Sequence, residues 1–243
     1  MKIIAAIPAR YAATRFPGKL MQLLAGKPVI VHTWENAKAT GLFDEVLVIT
    51  DNEDIFNEMQ SRGALVEMSR KSHESGSDRI AEAISDMDLD VVVNIQGDEP
   101  LIDTESIQKL TAVFLKDKNQ EVQVASLMQF ITEEVDITNP NIVKVVTGLN
   151  GDAIYFSRSP IPFHRDMDLE AIYYRHIGVY AYRKQMLLQF TKWPQTTLEK
   201  LEKLEQLRLV ENGIPIRMVE VNSRGIGIDT PEDLEKARRL FGE

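Results

Sequence analysis

Cysteine is absent from all 243 residues, which excludes disulfides, thiolate metal sites and redox dithiols. Positive charge is also in short supply: 28 Lys and Arg stand against 37 Asp and Glu, a formal net charge of −9. That deficit argues against non-specific binding to nucleic acid or to an anionic membrane, so an anionic substrate has to be met by a local cluster of cations. No uninterrupted apolar run reaches membrane-spanning length. The first run, Ile3 to Ile7, is stopped by Pro8 and Arg10, too early for the apolar core of a secretory leader. There is no internal repeat and no low-complexity tract. A cytoplasmic protein is the expectation, and 44% hydrophobic residues are enough at this length for the core of one large α/β domain.

The stretch IPARYAATRFPGKLM, Ile7 to Met21, follows that apolar run directly. It spaces Arg10, Arg15 and Lys19 through small and turn-forming residues. Ala9, Ala12, Ala13 and Gly18 let backbone N–H groups approach phosphate oxygens, while arginine and lysine supply forked and point-like positive charge. Residues 3–7 read as a buried strand, so the loop leaves the strand end at which open α/β sheets hold their ligands. The pattern is neither a P-loop nor a Rossmann fingerprint. On spacing alone, a solvated loop with three incidental cations stays open.

Strand and helix patterns then alternate. A helical stripe starts at Pro28 and ends at Gly41, EVLVIT (45–50) reads as a strand, and Asn52 caps a helix over 53–62 that Gly63 stops. A short strand near Leu65, a helix over 78–86 capped by Ser77, a strand over 90–95 and a helix over 104–116 complete the series. Such alternation predicts a parallel sheet. After a strand over 122–130 the pattern changes: 143–147, the Asn150-Gly151 turn and 153–156 predict a hairpin, and 173–182 a further strand. We expect a single domain, with about 140–185 as a β-containing insertion for a second substrate or for dimerisation. Arg158, Arg165, Arg175 and His176 make that insertion locally cationic. Leucines at 198, 201, 204 and 207 predict one helix over 196–212, with Glu199 and Lys203 paired along it.

Two acidic residues follow predicted turns. Asp98, beyond the carboxyl end of the 90–95 strand in QGDEP, is placed to hold Mg²⁺ against phosphate oxygens or simply to fill a turn. Asp229, after the Gly225-Ile226-Gly227 turn, reads equally as a metal ligand or as the cap of the helix that Pro231 begins.

Several further stretches, HESGSDR (73–79), NIQGDEP (94–100), NPNIVKVV (139–146), YFSR (155–158), RHIGVYAYR (175–183), LEKLEQLR (201–208) and GIDTPEDLEKAR (227–238), keep their order along the chain. Together with IPAR and TRFPGK, they resemble the 3-deoxy-manno-octulosonate cytidylyltransferase (CMP-Kdo synthetase) family over nearly the whole length. The resemblance implies a Rossmann-like α/β nucleotidyltransferase fold, mainly parallel with a smaller antiparallel β insertion. It also implies Mg²⁺ as cofactor, CTP and Kdo as substrates, a homodimer, and a place in lipopolysaccharide biosynthesis. Residue by residue, it gives Arg10, Arg15 and Lys19 to the triphosphate and Asp98 and Asp229 to the metal. Ala9, His73, Ser75, Gly76, Ser77, Arg79 and Gln96 go to the nucleotide. Gln96, Arg158, His176, Tyr180, Glu205 and Gln206 go to the sugar, although Glu205 and Gln206 also read as the polar face of a helix. Leu20 stands where the family has proline and Ser77 where it has threonine, and the segment between Pro162 and Tyr173 is short. A cytidylyltransferase for an amino-substituted Kdo or for neuraminic acid, or a catalytically silent nucleotide-binding module, are the alternatives.

Overall fold

The computed structural model describes residues 1–11, 16–70, 73, 75–166, 168–222, 225 and 227–242. In chain order the first elements are β1 (Ile3–Ala9), a 3-10 turn (Lys19–Met21), the short β2 (Leu23–Leu24) and β3 (Lys27–Pro28), α1 (Val29–Ala39), β4 (Glu45–Thr50) and α2 (Glu53–Ser61). Next come β5 (Leu65–Met68), α3 (Gly76–Ile84), β6 (Val91–Asn94), α4 (Thr104–Lys116), β7 (Val124–Phe130) and α5 (Glu134–Thr138). The remainder are β8 (Lys144–Thr147), β9 (Ala153–Ser157), β10 (Tyr174–Arg183), α6 (Lys184–Phe190), α7 (Thr197–Glu202), α8 (Leu207–Glu211), β11 (Ile216–Glu220) and α9 (Pro231–Leu240). The chain divides into two compact units, Met1–Gln108 with Ser223–Glu243, and Lys109–Asn222.

In the first unit, β6, β1, β4 and β5 lie side by side and every pairing is parallel. Ile3, Ile4, Ala5, Ala6, Ile7 and Ala9 of β1 are all buried, the continuous apolar run of a strand covered on both faces. Each enclosed isoleucine contributes about 1.5–3 kcal/mol. Parallel pairing brings the carboxyl ends of β1, β4 and β6 to one edge, with Ala9 opposite Thr50 and Ala6 opposite Asn94.

The helix termini follow local chemistry. Asn52 caps α2 as its position predicts, accepting from the Ile55 N–H at 3.0 Å, and Gly63 takes the left-handed conformation at φ 76°. Pro28 precedes the first turn of α1 rather than opening it, because it pairs with Leu23 in the β2–β3 ladder. The cap of α3 also differs from expectation. It is Ser75, not Ser77, and its hydroxyl accepts from Asp78 N–H at 3.1 Å while the Asp78 carboxylate accepts from Ser75 N–H at 3.1 Å. A capping box needs an acid three residues beyond the cap. Ser75 has Asp78 at that position, whereas Ser77 has Ile80.

In the second unit, β7 pairs parallel with β11 and antiparallel with β10, while β8 and β9 form the expected hairpin alongside β10. Gly151 in its turn has φ 80°, a conformation few other residues adopt without strain. β10 carries an irregularity between Ile177 and Tyr180. The short helix α5 was not foreseen: none of its residues is buried, so it leaves no apolar periodicity to read. The single helix expected over 196–212 is two, α7 and α8, broken at Lys203, which is left-handed at φ 55°. Glu199 is buried and pairs with Arg208 at 2.6 and 2.9 Å rather than with Lys203, while Leu201 is exposed. The leucines therefore do not form one buried stripe, and burial of the acid–guanidinium pair dictates the break. Among the described residues no helix is long and apolar enough to cross a membrane.

Candidate active site

In the first unit, the turn after β6 is built to lie against the end of β1. A Cβ on buried Gly97 would stand 3.1 Å from the Pro8 carbonyl oxygen and 3.3 Å from side-chain carbons of Ile30 and Leu20, so any side chain there would require these neighbours to give way. Thr33 of α1 donates to the Gly97 carbonyl at 2.8 Å, and Asn36 to the carbonyls of Pro100 and Ile102 at 2.9 and 3.2 Å. This fixes Asp98. The Ile228 N–H donates to the Asp98 carbonyl at 2.8 Å, which brings the segment bearing Asp229 alongside.

Asp98 and Asp229 then converge on one cation. Lys19, on the 3-10 turn just after the left-handed Gly18, donates to Asp98 Oδ2 and, at 2.9 Å, to Asp229 Oδ1. Burial works against the ammonium, but the Asp98 carboxylate, with Asp229 adding to it, outweighs that cost and raises the Lys19 pKa above 10.5. Asp229 is not the cap of α9. That role belongs to Thr230, whose hydroxyl accepts from Asp233 N–H at 3.2 Å in a second capping box. The cap reading of Asp229 is thereby removed.

The donors of this arrangement suit Mg²⁺. The Lys19 ammonium already stands as a cation between two hard carboxylate oxygens, and one or two carboxylates completed by substrate phosphates and water are the usual protein share of a Mg²⁺ site. Among the described residues no group of three or more His, Asp or Glu assembles into a metal cluster. The two-carboxylate set therefore fits Mg²⁺ held jointly with a phosphate ligand.

The other nucleotide candidates lie at the same sheet edge or next to it. Arg10 directly follows β1 and is exposed. Arg15, Ala12 and Ala13 lie outside the described residues, as does Ile226 of the predicted 225–227 turn. Gly76 opens α3 against Pro8, whose Cγ would be 3.1 Å from a Cβ placed there, so the α3 N-terminus abuts the end of β1. Ser77 and Arg79 are buried in this helix. Arg79 donates to Asp51 at 2.6 Å; burial alone would raise the Asp51 pKa, but Arg79 holds it below the usual carboxylate range. His73 reaches Glu82 at 2.8 Å and Gln96 donates to Asn94 at 3.3 Å.

The sugar candidates other than Gln96 belong to the second unit. His176 is not part of a cationic surface as expected: its ring packs edge-on to Phe156 and against Tyr180, it shares a 3.0 Å hydrogen bond with Ser126 Oγ, and burial pushes its pKa down to about 3. Ser126 also donates to the Val179 carbonyl at 2.9 Å, which pins the irregularity of β10. Tyr180 is buried, its pKa pushed well above 10 by that burial, and among the described residues its hydroxyl makes no hydrogen bond of ordinary geometry. Glu205 and Gln206 occupy the break between α7 and α8 rather than a helical face, and the buried Gln206 Nε2 has no hydrogen-bond partner among the described residues. Arg158 directs its guanidinium at main-chain carbonyls around that break, to Glu202 at 2.7 Å, Lys203 at 3.4 Å and Pro140 at 2.9 Å.

Sequence reasoning missed the support beneath Arg158. Lys144 is fully buried, and its ammonium donates to the carbonyls of Asn139 (2.9 Å), Ile142 (2.7 Å) and Arg158 (2.6 Å). Burial lowers its pKa, Arg158 adds to the effect, and Glu202 opposes it. Glu202 accepts from Ser157 Oγ at 2.6 Å and Arg158 N–H at 3.0 Å. A lone lysine inside the apolar run IVKVV was the available signal.

Known proteins are similar to this chain along its length. Residues 4–219 match the family model described as Cytidylyltransferase. A protein of Flavobacterium johnsoniae named 3-deoxy-manno-octulosonate cytidylyltransferase is 55% identical over 99% of each chain. One of Christiangramia forsetii with the same name is 54% identical over 99% of this chain and 97% of its own. A solved structure described as CMP:2-keto-3-deoxy-manno-octonic acid synthetase complexed with CTP superposes with a TM-score of 0.93 at 40% identity, covering 100% of this chain and 99% of that one. The α/β fold is also shared with a 4-diphosphocytidyl-2C-methyl-D-erythritol synthase from Anaerococcus prevotii, at a TM-score of 0.65, 15% identity and 100% and 99% coverage. The chain belongs to the 3-deoxy-manno-octulosonate cytidylyltransferase family of cytidylyltransferases.

Proposed function

We propose that the protein transfers CMP from CTP to Kdo, giving CMP-Kdo and pyrophosphate. The observation that carries this reading is the convergence of Lys19, Asp98 and Asp229 at the carboxyl edge of a parallel sheet, in a chain 55% identical to a protein named for the activity. The anomeric hydroxyl oxygen of the sugar bonds to the α-phosphorus, the bond from that phosphorus to the bridging oxygen breaks, pyrophosphate departs, and the hydroxyl proton passes to solvent. Such a transfer depends on positioning and charge neutralisation more than on covalent help.

Arg10, Arg15 and Lys19 hold the triphosphate and counter the charge that grows on pyrophosphate. Asp98 and Asp229 would hold Mg²⁺, which when bound lowers the pKa of the attacking hydroxyl and screens the phosphate oxygens. Ala9, His73, Ser75, Gly76, Ser77, Arg79 and Gln96 form the nucleotide side. Arg79 is already oriented by Asp51. Gln96, His176, Tyr180, Glu205 and Gln206 meet the sugar, whose hydroxyls suit the Gln206 Nε2 that has no hydrogen-bond partner among the described residues. Arg158 acts on the sugar carboxylate or holds the segment bearing Glu205. The product serves lipopolysaccharide assembly, the protein works in the cytoplasm, and it does so as a homodimer. Pyrophosphate release measured with CTP, Mg²⁺ and a panel of Kdo, 8-amino-Kdo and neuraminic acid tests the reading. Release with Kdo is expected, and equal release with neuraminic acid, or with ATP in place of CTP, overturns it.

A further inference from the structure

The two carboxylates given to the metal already have a cation. Lys19 donates to both Asp98 and Asp229, and an ammonium and a divalent ion cannot share the space between two carboxylates. The Ile228–Asp98 backbone hydrogen bond of 2.8 Å holds the two acids together through the main chain, so their mutual repulsion has to be countered by a cation. Lys19 is suited to a contact that later breaks. It sits on a three-residue turn, its stem is long and flexible, and the Asp229 side chain is 49% exposed, which keeps that contact weak. A triphosphate is the stronger attraction for the ammonium, and Mg²⁺ is the stronger one for the carboxylates once phosphate oxygens complete its shell.

We propose that Lys19 is a displaceable placeholder, occupying the metal position in the free protein and handed over to the triphosphate as the nucleotide and the divalent ion enter together. Nucleotide and metal then strengthen each other's binding through this one side chain, and by linkage the strengthening is reciprocal. The proposal rests on the metal assignment made above, and its test separates the two.

Mn²⁺, which takes the same oxygen donors, serves as the probe, with water proton relaxation enhancement reporting ion bound to protein. Without nucleotide, Lys19→Met is expected to bind Mn²⁺ at least tenfold more tightly than the wild type, and Asp98→Asn in the Lys19→Met background is expected to abolish that gain. A non-hydrolysable CTP analogue is expected to tighten Mn²⁺ binding at least tenfold in the wild type and clearly less in Lys19→Met. Lys19→Gln repeats the measurement should the methionine variant fold poorly, as judged by circular dichroism. If the wild type binds Mn²⁺ with the analogue through Asp98 but Lys19→Met and Lys19→Gln show no gain without it, the placeholder role is overturned and the metal site stands. If Asp98→Asn has no effect on Mn²⁺ binding in any state, the metal site falls and the placeholder role falls with it.

Discussion

Asp229 and Thr230 are adjacent residues with separable roles, because Thr230 caps α9 and Asp229 faces Lys19. Asp229→Asn is expected to lower turnover at least about a hundredfold while changing stability by less than about 1 kcal/mol, since its ion pair is half-exposed. Thr230→Ala is expected to cost about 1 kcal/mol of stability through the lost cap. Urea denaturation and initial rates on the two variants check both, and wild-type turnover in Asp229→Asn would sink the two-carboxylate site. His176 supplies a pH signature. With a folded pKa of about 3 and an ordinary value near 6.5, it is neutral in both states above about pH 6.5. Below that, only the unfolded chain takes up the proton, so stability falls as pH drops toward 3. The fall from pH 7 to pH 5 is expected to reach at most about 2 kcal/mol and to vanish in His176→Gln, as read by denaturant titration at the two values. The identity of these residues was readable in the sequence, but their partners were not. Asp229 offers the same letters to a cap and to a metal, and His176 looks like a cation until its neighbours enclose it.

The hairpin formed by β8 and β9 carries an inner lysine that joins the stretch of main chain before β8 to the end of β9. Lys144 gives one N–H to each of three carbonyls, which offsets the cost of burying its charge. Lys144→Met is expected to destabilise the fold by roughly 2–4 kcal/mol, because three carbonyls lose their donor. With Arg158 no longer anchored at its own carbonyl, the sugar KM is also expected to rise while the CTP KM stays near the wild-type value. Equilibrium unfolding and kinetics with each substrate varied check this, and an equal rise in both constants would assign Lys144 to general stability alone. The parallel strands of the first unit and the ends of α2 were legible, since apolar runs, Asn52 and Gly63 each act locally, whereas the two-residue β2 and β3 were not foreseen. The break between α7 and α8 was not. It follows from burying Glu199 against Arg208, a tertiary pair that overrides the leucine spacing.

Phe163, Leu169 and Ile172 are exposed large apolar side chains within one segment of the second unit. Several exposed large apolar side chains in one segment suit an interface, and a symmetric one suits a dimer. Light scattering at micromolar concentration is expected to give twice the 27.6 kDa chain mass, falling toward the monomer in Phe163→Asp combined with Leu169→Asp. A monomer mass for the wild type would refute this. Which elements alternate was evident from the sequence, but nothing local announced that the chain leaves its first unit at Gln108 and returns at Ser223. That return sets a timetable. Lys19 and Asp229 lie 210 positions apart, so at about 5–20 residues per second a ribosome needs roughly 10–40 s after making the lysine to make its second carboxylate. Through most of synthesis the nascent chain carries β1, its basic loop and Asp98 with no Asp229 beside them. On the proposed two-carboxylate site, the growing polypeptide is expected to stay silent toward sugar activation until Asp229 has been made.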